Sequence, residues 1–157
     1  MIEIDISHES DEMAARAPSE RVDALLRSIL RLVGKREYEI SCSFVSDGTM
    51  QQLNSAYRGK DESTDILSFV QSDDDEGFFY ARQDDEPEVL GDLVISLDAM
   101  DRNCVDFSVP ASEELARLLV HGVLHLCGWD HETNDPQEVM LRKQEELLET
   151  VLKESVS

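Results

Sequence analysis

The sequence predicts an α+β fold: one domain over residues 1–157, with a roughly four-stranded mixed sheet packed by about five helices around a metal site. Three observations carry this. Four short segments read as strands, and the clearest alternate apolar and polar residues with period two. Segments between and after them repeat apolar residues at helical spacing. The most apolar of those helices carries two histidines one turn apart. A length of 157 residues, 41% of them hydrophobic, is enough for one sizeable core.

"IEIDIS" (2–7) alternates and reads as the first strand. In "SERVDALLRSILRLVGK", Ser19 is an N-cap candidate. Val22, Leu25, Leu26, Ile29, Leu30 and Val33 recur at helical spacing, and Gly34 closes the segment. "YEISCSFVS" (38–46) is the second strand. Asp47 then caps a short helix with Met50, Leu53 and Tyr57 on one apolar face, ended by Gly59. "DILSFV" (65–70) and "GDLVISL" (91–97) are the third and fourth strands, and residues 98–107 read as a helix. A strong helix runs from about Ser112 to Gly128 and is apolar on all sides near its end, so it belongs in the centre. The last helix starts at "DPQE", with Asp135 as N-cap and Pro136 at the first helical position; Val139, Leu141, Leu148, Val151 and Leu152 supply its apolar face. The segment "SDDDEGFFYARQDDEPE" (72–88) reads as a long acidic loop or hairpin between strands three and four.

Fourteen basic against 35 acidic residues give a net charge of −21. Such a chain is no generic polyanion binder, so any RNA site must be a local basic island. No run reaches the ~20 apolar residues of a membrane span, and the first residues lack the basic and apolar regions of a signal peptide. Cys42, Cys104 and Cys127 are an odd number without a C-x-x-C pair, which reads as buried thiols in a reduced, cytoplasmic protein. His8 reads as a solvated surface residue just past the first strand.

The other three histidines stand in "HGVLHLCGWDH". His121 and His125 are four apart on a helix and therefore share a face. Gly128 lets the chain reverse, which can return His131 as a third nitrogen ligand. Three histidines leave one open position on a tetrahedral zinc ion, the pattern of a catalytic site holding one Zn2+ per chain. Asp130 is a candidate to orient a ligand histidine, and Cys127 lies off the ligand face. Zinc proteases with this spacing carry a glutamate directly after the first histidine, where this chain has Gly122. Two routes remain: zinc alone can bring its water to a pKa near ~7, or the reacting group is a phosphodiester, where stabilising charge matters more than a carboxylate base. The second route needs a cation. "NSAYRGKDESTDILSF" (54–69) offers Arg58 at a helix end and Lys60 just beyond Gly59, although both also suit a helix C-terminus.

"NSAYRGKDESTDILSF", "GDLVIS" and "HGVLHLCGWDH" together resemble the three signature blocks of the YbeY family, bacterial zinc-dependent, single-strand-specific endoribonucleases of rRNA maturation. The resemblance implies that His121, His125 and His131 bind zinc and that Arg58 is needed for RNA cleavage; Lys60, one residue past Gly59, is a further candidate to position the backbone. It implies action on the 3′ end of small-subunit rRNA and in ribosome quality control. The expected partners are single-stranded rRNA, the small ribosomal subunit with a basic ribosomal protein, and an Era-type GTPase, with no membrane. Trp129 stands where the family usually has tyrosine, and Ser63 where proline is common. Asp65, Glu62 and Asp130 are candidate general bases that spacing alone does not place. Two other readings fit parts of the sequence: a zinc peptidase, on histidine spacing alone, and a non-catalytic ribosome-assembly factor with structural zinc, on the acidic surface.

Overall fold

The computed structural model describes residues 2–35, 38–70, 88–129 and 135–156. Along the chain run β1 (Ile2–His8), α1 (Asp11–Arg16), α2 (Ser19–Leu32), β2 (Tyr38–Val45), α3 (Asp47–Arg58), β3 (Ile66–Val70), β4 (Glu88–Ser96), α4 (Leu97–Phe107), α5 (Ala111–Leu126) and α6 (Val139–Val156). The sheet order is β1-β2-β4-β3, with β1–β2 and β2–β4 parallel and β3–β4 antiparallel. This is the expected α+β fold with a mixed four-stranded sheet, carrying six helices among the described residues rather than about five. The addition is α1, six residues with none buried, held by its N-cap Ser10. The acidic segment 72–88 lies outside the described residues apart from its last residue, which opens β4.

Alternation along the strands sends side chains to two apolar clusters. The large one packs α2, α5 and α6 on one face around Leu26, Phe44, Leu93, Ile95 and Leu119. The small one lies on the other face under α3, where Met50, Leu67 and Val94 meet Leu53 and Phe69. Thus Ile66 points toward α5, while Leu67 and Phe69 point toward α3. β4 is buried on both faces, and Gly91 within it has φ 141°. A Cβ there would stand 2.0 Å from the Phe69 carbonyl oxygen, so only glycine lets β3 close onto β4.

Several boundaries shift. Ser46, not Asp47, caps α3 by accepting from Thr49 N, which makes Asp47 the first helical residue. Pro18 precedes α2, and Ser19 lies inside it. Asp135 caps a turn by accepting from Gln137 N at 2.9 Å, and the helix begins only at Val139, beyond Pro136. Val139 is exposed, and the buried stripe of α6 is Met140, Gln144, Leu147, Leu148 and Val151. His8 is not a solvated residue past the strand. It is the last residue of β1, half-buried, with its ring stacked on Phe44 at 5.1 Å and its Nε2 2.6 Å from the Ala17 carbonyl. The three cysteines are thiols, and burial pushes Cys42 up to about 12.

Candidate functional site

α5 is buried along most of its length because it packs directly on the sheet. Gly122 makes this approach close: a Cβ there would lie 2.6 Å from Leu93 Cδ2 and 2.8 Å from Ile66 Cδ1. One turn apart on the same helix, His121 and His125 are half-buried. Their rings meet edge to face at 4.6 Å, with the two Nε2 atoms 3.0 Å apart. Helical spacing puts them on one face, and side-chain rotamers bring both nitrogens to one point.

A residue that sequence reasoning missed orients the first ring. Gln144 of α6 is buried, and its Oε1 lies 2.6 Å from His121 Nδ1. Its amide nitrogen donates to Glu145 Oε2 at 3.1 Å, which identifies the other amide atom as the oxygen. His121 Nδ1 therefore carries the proton, and its Nε2 presents a lone pair toward His125. Arg117 in turn holds Glu145 through Nε at 3.2 Å. This is the arrangement that fixes tautomer and ring direction in a metal-ligating histidine. Two converging imidazole nitrogens, one already oriented, fit a zinc ion. Among the described residues no group of three His, Cys, Asp or Glu could hold a metal. His131 and Asp130 lie outside the described residues.

The cations arrive from α3. Arg58 is its last residue, Gly59 turns the chain in the left-handed conformation, and Lys60 follows. Buried Asn54 fastens this loop, its Nδ2 donating to the Glu62 carbonyl at 2.8 Å; its Oδ1 accepts no hydrogen bond among the described residues. Arg16, Arg27, Arg31, Arg102 and Arg117 each sit against a carboxylate. Arg58 and Lys60 are exposed and engage none among the described residues. β3 is the edge strand, and over it opens a groove of about 780 Å³. Arg58, Lys60, Asp65, His121 and His125 all line it, so residues some sixty positions apart share one site. Of the three candidate bases, Asp65 faces this groove, with Oδ2 accepting from Asn103 Nδ2 at 3.0 Å. Glu62 does not line it.

Asp47 anchors the same loop from the other end of α3. It accepts from Arg102 Nη1 at 2.7 Å, Ser63 Oγ at 2.8 Å and Ser96 Oγ at 2.9 Å. The Arg102 bond and the two hydroxyls hold its carboxyl well below the usual carboxylate range, against the opposing effect of burial. A depressed folded-state pKa gives stability that is full above the unfolded value near ~4 and lost as pH falls through the folded value. Asp47→Asn should therefore melt below wild type at pH 7, with the gap narrowing as the pH drops under about 4. Melts from neutral to acid pH read this directly, and a gap that stays constant with pH refutes it.

No helix among the described residues is long and apolar enough to cross a membrane. The family described as endoribonuclease YbeY matches residues 3–152. The endoribonuclease YbeY of Treponema denticola is 40% identical over 88% of this chain and 87% of its own length. That of Lysinibacillus sphaericus is 37% identical over 96% of each, and that of Bacillus subtilis 37% identical over 83% of this chain and 87% of its own. A solution structure of TM1509 from Thermotoga maritima superimposes with a TM-score of 0.61 at 25% identity, covering 96% of this chain and 90% of that one. A family match over nearly the whole chain, together with relatives well above 30% identity along most of both sequences, establishes that this chain belongs to the endoribonuclease YbeY family.

Proposed function

We propose that this chain is a zinc-dependent endoribonuclease that cleaves single-stranded RNA, matures the 3′ end of small-subunit ribosomal RNA and serves ribosome quality control in the cytoplasm. One observation carries the reading: two cations without carboxylate partners among the described residues and two converging imidazoles line one groove. Both kinds of group can stabilise the charge that develops on a phosphodiester, the imidazoles through a bound metal. His121 and His125 hold the zinc ion, one per chain, with His131 as third ligand, as the family resemblance implies, and Asp130 is the candidate to orient a ligand histidine. Zinc supplies Lewis acidity at the phosphate or its attacking water. Arg58 clamps the phosphate and stabilises the charge that develops on its oxygens. Lys60 steadies the neighbouring backbone, and Asp65 stands ready to accept a proton. The acidic surface suits recruitment by a basic small-subunit ribosomal protein, alongside an Era-type GTPase.

The test is zinc content together with cleavage of single- and double-stranded RNA, for wild type and His121→Ala. Wild type should hold one zinc and cut only the single strand, and His121→Ala should lose both properties. Full cleavage by a zinc-free protein overturns the reading. A milder variant checks the oriented ring. Gln144→Ala should weaken zinc binding by about 10- to 100-fold in chelator competition, because the imidazole loses its fixed tautomer and direction. Zinc affinity equal to wild type would remove Gln144 from the site.

A further inference from the structure

The groove contains an aromatic pair that zinc and phosphate chemistry leave without a role. Tyr57 was expected on the apolar face of α3, yet it is 69% exposed while Met50 on that helix is fully buried. It turns instead toward β3, where its ring meets Phe69 edge to face at 5.2 Å and 71°. Phe69 itself is anchored on the small cluster with Met50, Leu67 and Val94. Both rings line the groove with Arg58, Lys60, His121 and His125.

An edge-to-face contact uses at most one face of either ring. Among the described residues Phe69 is the aromatic partner of Tyr57, and at 69% exposure most of the Tyr57 ring faces solvent. Leaving a large ring in water forgoes burial that the small cluster beside it could have given. The chain instead presents an open aromatic face immediately before Arg58, on the wall of a groove that also holds a second cation. Stacking surface plus phosphate-binding charge in one groove is the combination that holds single-stranded nucleic acid. In a strongly acidic chain, two groove cations without carboxylate partners among the described residues favour an anionic ligand such as a phosphate backbone over a neutral one.

We propose that Tyr57, braced by Phe69, is a stacking platform for one unpaired base, and that this contact gives the enzyme its preference for single strands. The inference rests on the ribonuclease reading above and deepens it. A base in a duplex already has both faces stacked, and extracting it costs a few kcal/mol. Only an unpaired base reaches Tyr57 without that cost. The base then fixes the register of the strand, and the adjacent phosphate falls to Arg58.

The test uses the zinc-loaded full chain with a short single-stranded oligoribonucleotide, its duplex, and a series of oligonucleotides carrying one abasic position each. Tyr57→Ala should raise the single-strand Kd and KM by about 5- to 100-fold, with kcat little changed, and the single-strand preference should shrink. Tyr57→Phe should retain wild-type affinity, because stacking needs the ring and not the hydroxyl. One abasic position should cost wild type the same loss and cost Tyr57→Ala nothing further. Equal abasic penalties in both proteins, or an unchanged Kd in Tyr57→Ala, overturn the platform while leaving the nuclease intact. A wild type that binds and cuts no RNA overturns both readings.

Discussion

Arg58→Ala should lower the rate of single-stranded RNA cleavage by about 100- to 1,000-fold while the protein keeps its zinc and its melting temperature. The two halves of this expectation come from different parts of the molecule. Arg58 is exposed at the end of α3 and forms no ion pair among the described residues, so its loss removes no structural contact. The histidines belong to α5, and His121 is braced by Gln144 of α6, so a metal held by them would not depend on Arg58. What is lost is the guanidinium, whose planar fork can bind two phosphate oxygens at once. Charge on those oxygens grows toward the transition state, and a fixed cation in a groove acts most strongly there. Arg58→Lys keeps the charge without the fork and should recover only part of the rate. Single-turnover cleavage with zinc quantified in the same preparations separates these effects. An Arg58→Ala enzyme at full rate sinks the assigned role. A variant that is slow because it has lost zinc would place Arg58 in the metal site instead.

Much of this site could be read from the chain before any coordinates. The i, i+4 pair His121 and His125 share a face by helix geometry alone, and the structure brings their Nε2 atoms to 3.0 Å. Gly128 carries the positive φ that a reversal there requires. The meeting of Arg58 with these histidines was not legible from spacing. It depends on the sheet order β1-β2-β4-β3, which makes β3 the edge strand beside α5 and lets α3 deliver its last turn across that edge. Gln144 was missed for a related reason, since its role appears only when α6 packs against α5. A signal was nevertheless present. Met140, Gln144, Leu147, Leu148 and Val151 form one helical stripe, in which Gln144 is the single polar residue. Choosing Val139 and Leu141 as the face hid it. His8 likewise lay in phase with Ile2, Ile4 and Ile6, whose side chains alternate inward along β1. Period two placed it with the partly buried set, and treating it as a residue past the strand lost that information.

Gly122→Glu restores the zinc-protease motif on paper and should unfold the protein rather than confer peptidase activity. The histidines turn toward the groove, but position 122 faces the sheet. A Cβ alone would come within 2.6 Å of Leu93 Cδ2 and 2.8 Å of Ile66 Cδ1, both in the core cluster. Overpacking of this kind costs about 1–3 kcal/mol. The carboxylate would then sit among buried leucines and isoleucines without a partner, and stranding a buried charge costs several kcal/mol more. Typical domains have only ~5–15 kcal/mol to lose. Gly122→Ala is the control: it carries the steric part alone, offset by the ~1 kcal/mol that alanine gains over glycine inside a helix. Urea midpoints of the three proteins should fall in the order wild type, Gly122→Ala, Gly122→Glu, with the last far below the others. A Gly122→Glu protein with a wild-type midpoint would show that the helix can lift from the sheet, and the packing argument would fail. If the order holds, close packing rather than chemistry keeps a glutamate out of position 122. A general base for the proposed cleavage would then have to come from another element, and Asp65 is the described candidate that lines the groove.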